Sequence, residues 1–349
     1  MPPYRAVKSI LKGQFLPATV PPLVIPAEAK EALRILFLAK NALWDGQGSA
    51  EDGNHARYHV EMRETLTALG LNLTINDNFD MLFDKPDVDF VFPLLNRAGF
   101  FNSEMLCPLL CERANIAYLG ASPIVRGLGD DKHLAKRSCV AAGVPTAPWA
   151  IFRRGVPVDL SALPPAERWV IKPNNSSASW GVRDASDAKG VAEAVDEVFG
   201  LDHDAIVEPF LDGSDIEVPV ITMGDPVVLP MMIFRQSDPA HLRTYQEKRD
   251  LVDRTQKYSL DPFEDAGIAA TLAEYTRRLW ADYRPFDYGR FEFRVNEDTG
   301  EIHFLEVNLN CNLWSQKVFG RAAVLFGWSH EQLIETILAD SLRRNGLIA

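Results

Sequence analysis

Two hydrophobic rhythms divide the chain. Residues 35–39 (Ile-Leu-Phe-Leu-Ala) and 88–95 are near-continuous apolar runs, as in strands buried on both faces, and 71–75 and 116–120 read as shorter strands. Between them, 56–69 and a segment from about Ser103 have the character of helices. Strands alternating with helices predict an open, mostly parallel α/β unit with ligands beyond the carboxyl ends of its strands. The stretch 46–54, after the first strand, occupies such a place.

Beyond residue 122 the pattern becomes mixed. Residues 131–142 predict a helix closed by Gly143 and stopped by Pro145 and Pro148. A strand at 169–173 ends in Lys172-Pro173 and opens into Asn-Asn-Ser-Ala-rich polar sequence, 174–181, that finishes at Gly181. Backbone amides of such a loop, with a lysine at its mouth, suit phosphates, although the same composition describes an ordinary turn. Residues 206–211 and 215–220 predict strands around the Asp212-Gly213 turn, and 266–280 and 330–344 predict amphipathic helices. The run 245–254 is strongly polar and, on composition alone, reads as a solvated loop.

The most informative alternation lies at 290–312. Residues 290–295 and 302–307 alternate apolar and polar positions around turn chemistry at 296–300, predicting a β-hairpin. Glu292 sits on the first strand; Glu306 and Asn308, two apart on the second, share a face. Such a set suits magnesium, which takes few carboxylates and completes its octahedron with water and phosphate oxygens. A hairpin edge whose acids face water has the same pattern, but the flanking Leu305 and Val307 imply burial, where an unpaired charge is costly.

Composition narrows the class. With 349 residues, 47% of them apolar, the chain has ample core for two or three lobes, and a net charge of -12 argues against nucleic acid or an anionic membrane as principal partner. No transmembrane-length run or signal-peptide core is present in the sequence, and Cys107, Cys111, Cys139 and Cys311 lack metal-knuckle or disulfide spacing. A reduced, cytoplasmic protein is expected. The first thirty residues, rich in proline and basic groups, are expected to form an arm over the body.

The order of these pieces resembles the ATP-grasp ligases, and within them the D-alanine–D-alanine ligases. The resemblance runs from Ser49 to the C-terminus through Asp131-Lys132, Lys172-Pro173 with the loop to Gly181, Glu208-Pro209-Phe210-Leu211, Asp215, Lys248, Gly289-Arg290-Phe291-Glu292 and Leu305-Glu306-Val307-Asn308. It implies an α/β and α+β ATP-grasp fold with an N-terminal Rossmann-like (pre-ATP-grasp) lobe. The expected divisions are an arm at 1–30, the N-terminal lobe at 31–121, a central subdomain at 122–215 and a C-terminal subdomain at 216–349. By resemblance, Lys132 and Lys172 hold ATP phosphates. Glu208, the Pro209–Leu211 backbone and Leu305 hold adenine, and Asp215 holds ribose. Lys248 reaches the γ-phosphate, Arg290 stabilises an oxyanion, and Glu292, Glu306 and Asn308 hold two Mg2+ or Mn2+ ions. The implied reaction activates a carboxylate as an acyl phosphate and joins it to an amine; a homodimer is also implied.

Departures from the D-alanine pattern fall on the substrate side. Glu51 matches a substrate-loop acid, but an apparent insertion follows it, and an exposed acid would look the same. The family's His-Gly and Gly-Glu-Asp-Gly motif is replaced by the stretch holding Arg97, Phe100 and Phe101. Ser179 is kept, whereas Trp180, Arg249, Asn312 and Lys317 replace smaller or neutral residues. Each substitution alone fits simple packing or a surface ion pair; together they imply a larger or more anionic substrate than D-alanine. A phosphotransferase and a nucleotide-binding regulatory module remain as alternatives at this stage.

Overall fold

The computed structural model describes residues 20–46, 53–94, 103–248, 258–309 and 311–349. The first unit runs α1 (Ala27–Ala32), β1 (Arg34–Leu38), α2 (His55–Ala68), β2 (Asn72–Asn76), β3 (Phe90–Pro93), α3 (Leu106–Ala114) and β4 (Ala117–Tyr118). Its strands form a parallel sheet in the order β2-β1-β3-β4. Ile35, Phe37, Phe90 and Phe92 face one core, while Leu36, Leu38 and Val91 face another built with Cys107, Leu110 and Cys111. Burial on both faces explains the apolar runs that replace alternation here. The helix expected from about Ser103 opens with a 3-10 turn at Ser103–Met105 before α3 begins.

Two helices follow, α4 (Pro123–Asp130) and α5 (Lys132–Ala141). Asp131 caps α5 by accepting from the Leu134 amide at 2.9 Å, and Gly143, at φ +67°, ends it. Next come β5 (Ala150–Phe152), β6 (Trp169–Pro173), β7 (Arg183–Ala185), α6 (Ala188–Gly200) and β8 (Ala205–Pro209). Their strands make an antiparallel sheet in the order β5-β8-β6-β7, with α6 packed on it through Val191, Val195 and Val198.

The last unit contains β9 (Ser214–Met223), β10 (Asp225–Val228), β11 (Met232–Gln236), α7 (Tyr245–Lys248), β12 (Tyr258–Pro262), α8 (Ala266–Trp280), β13 (Tyr288–Asn296), β14 (Glu301–Asn308), α9 (Val318–Phe326) and α10 (His330–Arg344). The sheet order is β12-β11-β9-β13-β14, with β10 paired to β9. Phe291, Phe293, Val295 and Phe304 point into the core beneath this sheet; Arg290, Glu292 and Arg294 alternate with them on the other face. Between Glu292 and Phe293 the register of the hairpin shifts, because Leu305 has no partner of its own. Such a bulge re-aims side chains. The divisions expected at 30/31 and 215/216 fall inside α1 and β9, respectively.

The units are tied together through buried groups. The first sheet shares its core with Phe319, Ile334, Ile337 and Leu338 of α9 and α10. Residues 20–26 lie along these helices, with the Val20 carbonyl accepting from Trp328 and the Leu23 amide donating to Thr336. Asp287, fully buried just before β13, accepts from the Gly120 amide at 2.6 Å, Ser341 Oγ at 2.7 Å and Arg344 Nε at 2.8 Å, so one carboxylate joins the segment after β4 to α10. The described residues contain no helix long and apolar enough to cross a membrane, and all four cysteines are buried and free.

Removing the Asp287 carboxylate strands Arg344 and two other donors. Asp287→Ala is therefore expected to cost about 3–5 kcal/mol of folding free energy. Denaturant unfolding monitored by tryptophan fluorescence measures it; a loss under about 1 kcal/mol would contradict the assignment of this group as the tie between units.

Candidate functional site

A cavity of about 900 Å³ is bounded by all three units, and a smaller one of about 140 Å³ adjoins it. The first sheet meets the larger cavity with Lys40, Asn41 and Leu94, just past the carboxyl ends of β1 and β3. This is the crevice that parallel strand order creates.

The floor of the site is the polar face of β9, β13 and β14. In register, Glu217 pairs with Glu292, and Glu292 with Glu306, so three carboxylates stand side by side on adjacent strands. Arg290 separates the first two: its guanidinium lies against Glu217 and donates to Glu292 through Nη2 at 2.7 Å and Nε at 3.1 Å. Asn308 donates to both Glu292 and Glu306, the latter at 3.3 Å. Burial pushes Glu217 up to about 8, with Glu292 and Asp215 adding to the shift and Arg290 opposing it. Burial and the neighbouring Glu306 likewise push Glu292 up, against Arg290 and Lys248. For Glu306 burial is outweighed by Lys132, Lys248 and Lys172, which hold it below the usual carboxylate range. The carboxylates of Glu292 and Glu306, crowded enough to repel, form a donor set that a divalent cation would relieve, with Asn308 able to add its amide oxygen by turning over the amide that now donates to both.

Above this floor the lysines converge from separate elements. Lys132, at the start of α5, donates to the Ser176 carbonyl and approaches Glu306 to 3.6 Å. Lys172 ends β6 and pairs with Glu208, whose other oxygen meets Lys136 at 2.8 Å. Burial opposes the charge on Lys172, yet Glu208, Glu306 and Asp215 keep it above an ordinary lysine. Burial also works against the carboxylate of Glu208, but Lys136 and Lys172 prevail and hold it at about 2. Lys248 lies at the end of α7, where burial and Arg243 lower it. The polar run 245–254 is thus not wholly a solvated loop: α7 is ordered, and Glu247 is buried, accepting from Thr244.

The loop after β6 is shaped by its backbone. Ala178 and Ser179 are both left-handed, at φ +55° and +60°, uncommon for residues with side chains. At Gly181, φ is +71° and a Cβ would sit 2.6 Å from Pro173, so only glycine fits. The Asn174 side chain anchors the loop by accepting from the His133 amide at 2.9 Å. Trp180 leaves the loop to meet His203, ring centroids 5.4 Å apart, at the edge of the larger cavity.

The smaller cavity is a slot lined by Val170, Phe210, Leu211 and Leu305, with Lys172, Glu208, Pro209 and Asp215 at its rim. Leu305 reaches this wall at the bulge. Asp215 meets Arg294 at 2.9 Å and Arg243 at 3.2 Å, and despite burial these arginines and Lys248 hold it at about 2. Beyond β14, Asn312 and Lys317 line the larger cavity, while Asn312 accepts from the Trp314 amide at 2.7 Å. The loop is held by Glu61 of α2, which accepts from Trp314 Nε1 at 2.8 Å and from Ser315.

Of the residues singled out from sequence, Lys132, Trp180, Lys248, Arg290, Glu292, Glu306, Asn308, Asn312 and Lys317 line the larger cavity. Lys172, Ser179, Glu208, Pro209, Phe210, Leu211, Asp215 and Leu305 line the smaller. Glu51, Arg97 and Arg249 lie outside the described residues. Sequence reasoning passed over Glu217, Arg294 and Lys136. Arg294 was signalled, since it continues the two-residue rhythm of Arg290 and Glu292; Lys136 stands one helical turn after Lys132. Glu217 carried no comparable signal.

Three units in this order, with the sheet that bears the loop 174–181 and the acidic hairpin closing on one cleft, define the ATP-grasp fold. The D-ala D-ala ligase C-terminus family model matches residues 139–339, and the chain belongs to that family. A Clostridium beijerinckii D-alanine–D-alanine ligase is 23% identical over 314 residues, 86% of this chain and 94% of that one. A Sinorhizobium fredii protein named only as uncharacterized y4sG is 29% identical over 246 residues, 69% of this chain and 72% of that one. Among solved structures, a Bacillus anthracis D-alanine–D-alanine ligase complexed with ATP superposes with a TM-score of 0.71 at 17% identity, covering 90% of this chain and 98% of that one. The VanG D-Ala:D-Ser ligase of Enterococcus faecalis gives 0.69 at 14% identity, covering 88% and 99%.

The lowered carboxylates set an acid limit. A carboxylate whose folded value lies below its unfolded one stabilises the fold above the unfolded value and loses that contribution as pH falls through the folded one. For Glu208 the window runs from 4.5 down to about 2. Wild-type stability should fall steeply there, and Glu208→Gln should be less stable at neutral pH but flatter across that window. Urea midpoints between pH 7 and pH 2 check this; equal slopes would contradict the buried pairing.

Proposed function

We propose that this protein is an ATP-dependent ligase that joins a carboxylic acid to an amine through an acyl phosphate. The observation that carries the reading is the Arg290 guanidinium, clamped between Glu217 and Glu292 beside Glu306 and Asn308, with Lys132, Lys172 and Lys248 facing the same floor. A nucleotide-binding regulatory module has no need to keep a buried arginine at the reacting end of the cleft.

In this reading adenine occupies the smaller cavity against Val170, Phe210 and Leu305, with Asp215 on the ribose. Lys132, Lys172 and the loop 174–181 hold the phosphates, and Lys248 covers the γ-phosphate. Glu292, Glu306 and Asn308 would hold Mg2+ or Mn2+, two ions in all, which would supply positive charge against the phosphates. The acid's carboxylate oxygen attacks the γ-phosphorus, the bond to the bridging β–γ oxygen breaks and ADP leaves. The amine then attacks the acyl carbon, loses a proton and expels phosphate. Arg290 offers N–H donors to the oxyanion that develops in this second step, and its pinned geometry spares reorganisation. Catalysis rests on positioning and charge neutralisation.

Trp180, Lys317 and Asn312, which line the larger cavity, support substrates other than two D-alanines, since they add bulk and charge to its walls. Arg97, Arg249 and Glu51 are proposed to contribute to the same end, and Ser179 to orient the acid.

ADP release with magnesium, measured against pools of amino acids and small acids, should require both an acid and an amine and should yield a new condensed mass. With hydroxylamine in place of the amine, a hydroxamate should accumulate. Glu306→Gln should reduce turnover by at least about 100-fold while leaving the thermal transition in place. Retained turnover in that variant would overturn the metal assignment, and a phosphorylated product stable to every amine would favour a phosphotransferase.

A further inference from the structure

Arg126 is the buried charge that the proposed chemistry leaves unused. It lies on α4, one turn past the N-terminus, and is only 3% exposed. Among the described residues its guanidinium makes one hydrogen bond, from Nε to the Ala121 carbonyl at 3.3 Å, and Nη2 is buried with no partner among them. No carboxylate among the described residues pairs with it. This contrasts with Arg290, Arg294 and Arg344, each of which meets an acid. Burying a guanidinium is costly unless something compensates it, and Arg126 lines the 900 Å³ cavity.

The surroundings are built to leave room for it. Gly120, at φ +109°, ends the segment after β4, and a Cβ there would come 2.5 Å from Arg126 Nη2. Any larger residue at 120 would evict the guanidinium. Lys40, past the end of β1, lines the same cavity. Arg126 does not border the smaller, adenine-sized cavity, which places it away from the nucleotide base. The position is on the first-sheet side of the cleft, where a substrate's body rather than its reacting carboxylate would rest.

We infer that Arg126 is a specificity-determining residue that binds a second anionic group, a carboxylate or phosphate, on the substrate seated against the N-terminal unit. The inference rests on reading the larger cavity as the condensation site. It converts the general expectation of a more anionic substrate into one residue and one kind of group: a monoanionic amino acid leaves the guanidinium uncompensated, whereas an acidic one pairs with it through charge-assisted hydrogen bonds.

The test measures binding by calorimetry in the presence of ADP and Mg2+, using matched probes in both enantiomers: aspartate with asparagine, glutamate with glutamine, and O-phosphoserine with serine. Wild-type protein should prefer an acidic member over its neutral counterpart by about 10-fold or more. Arg126→Met should abolish that preference, Arg126→Lys should retain part of it, and the ADP affinity of both should match wild-type. Preference confined to phosphoserine identifies phosphate; preference in the other pairs identifies carboxylate. Arg126→Gln carries the same expectation if the methionine variant does not fold. With the uncompensated charge gone, substrate-free Arg126→Met should melt no lower than wild-type.

Absence of acid preference in the wild-type, including no binding by any probe, overturns the inference. So does a preference that survives Arg126→Met, or a lowered melting temperature with preference intact, which makes Arg126 a structural cap on Ala121. ADP release assayed with the same probes separates the two readings. Acid binding through Arg126 without acid- and amine-dependent ADP release would leave the anion site standing and remove the ligase; amide formation without acid preference would do the reverse.

Discussion

The structure turns on like charges held at the spacing of neighbouring strands. Glu217, Glu292 and Glu306 are in register on three adjacent strands of one sheet, where side chains directly opposite come close enough to repel. The hydrophobic face below, Phe291, Phe293 and Phe304, fixes the register, and a slip by one residue would turn the acids into the core. The repulsion is therefore answered from above. Arg290 comes from within the sheet, and Lys132, Lys172 and Lys248 come from α5, β6 and α7. Cations drawn from separate units to one acidic floor are what give the cleft its shape.

The same electrostatics fits the phosphoryl transfer proposed for the site. Each lysine is set by burial against carboxylates, and the balance differs from one to the next. Lys172 is held firmly charged by Glu208, Glu306 and Asp215, while Lys248 is eased downward by burial and Arg243. Glu208 sits between Lys136 and Lys172 as a fixed strut, which leaves the backbone at 209–211 as the polar edge of the smaller cavity. In the proposed reading, substrate selection falls to the residues that α4 and the loop after β14 bring to the larger cavity, Arg126, Asn312 and Lys317.

Much of this was legible in the sequence because period and chemistry coincided. The hairpin 288–308 announced both its fold and its acids through strict alternation, and α8 was expected at 266–280, the span it occupies. The loop 174–181 was legible as a polar run ending in glycine, though not its left-handed Ala178 and Ser179, which are a backbone property with no composition signal. Strands β10 to β12 were not anticipated: 225–228 and 232–236 are short apolar runs without alternation, and β12 follows a polar stretch. Glu217 and Arg126 escaped for one reason. A charged residue between buried neighbours declares its partner, or lack of one, only when distant segments are brought together.

The most direct test of carboxylate activation follows oxygen rather than product. The acid that supports ADP release is labelled with 18O in its carboxylate, and the phosphate formed during condensation is examined by mass spectrometry. Attack by the carboxylate on the γ-phosphorus should carry one labelled oxygen into inorganic phosphate for each amide formed. Amide formation with unlabelled phosphate would contradict an acyl phosphate and with it the role assigned to Arg290 and the lysines around it.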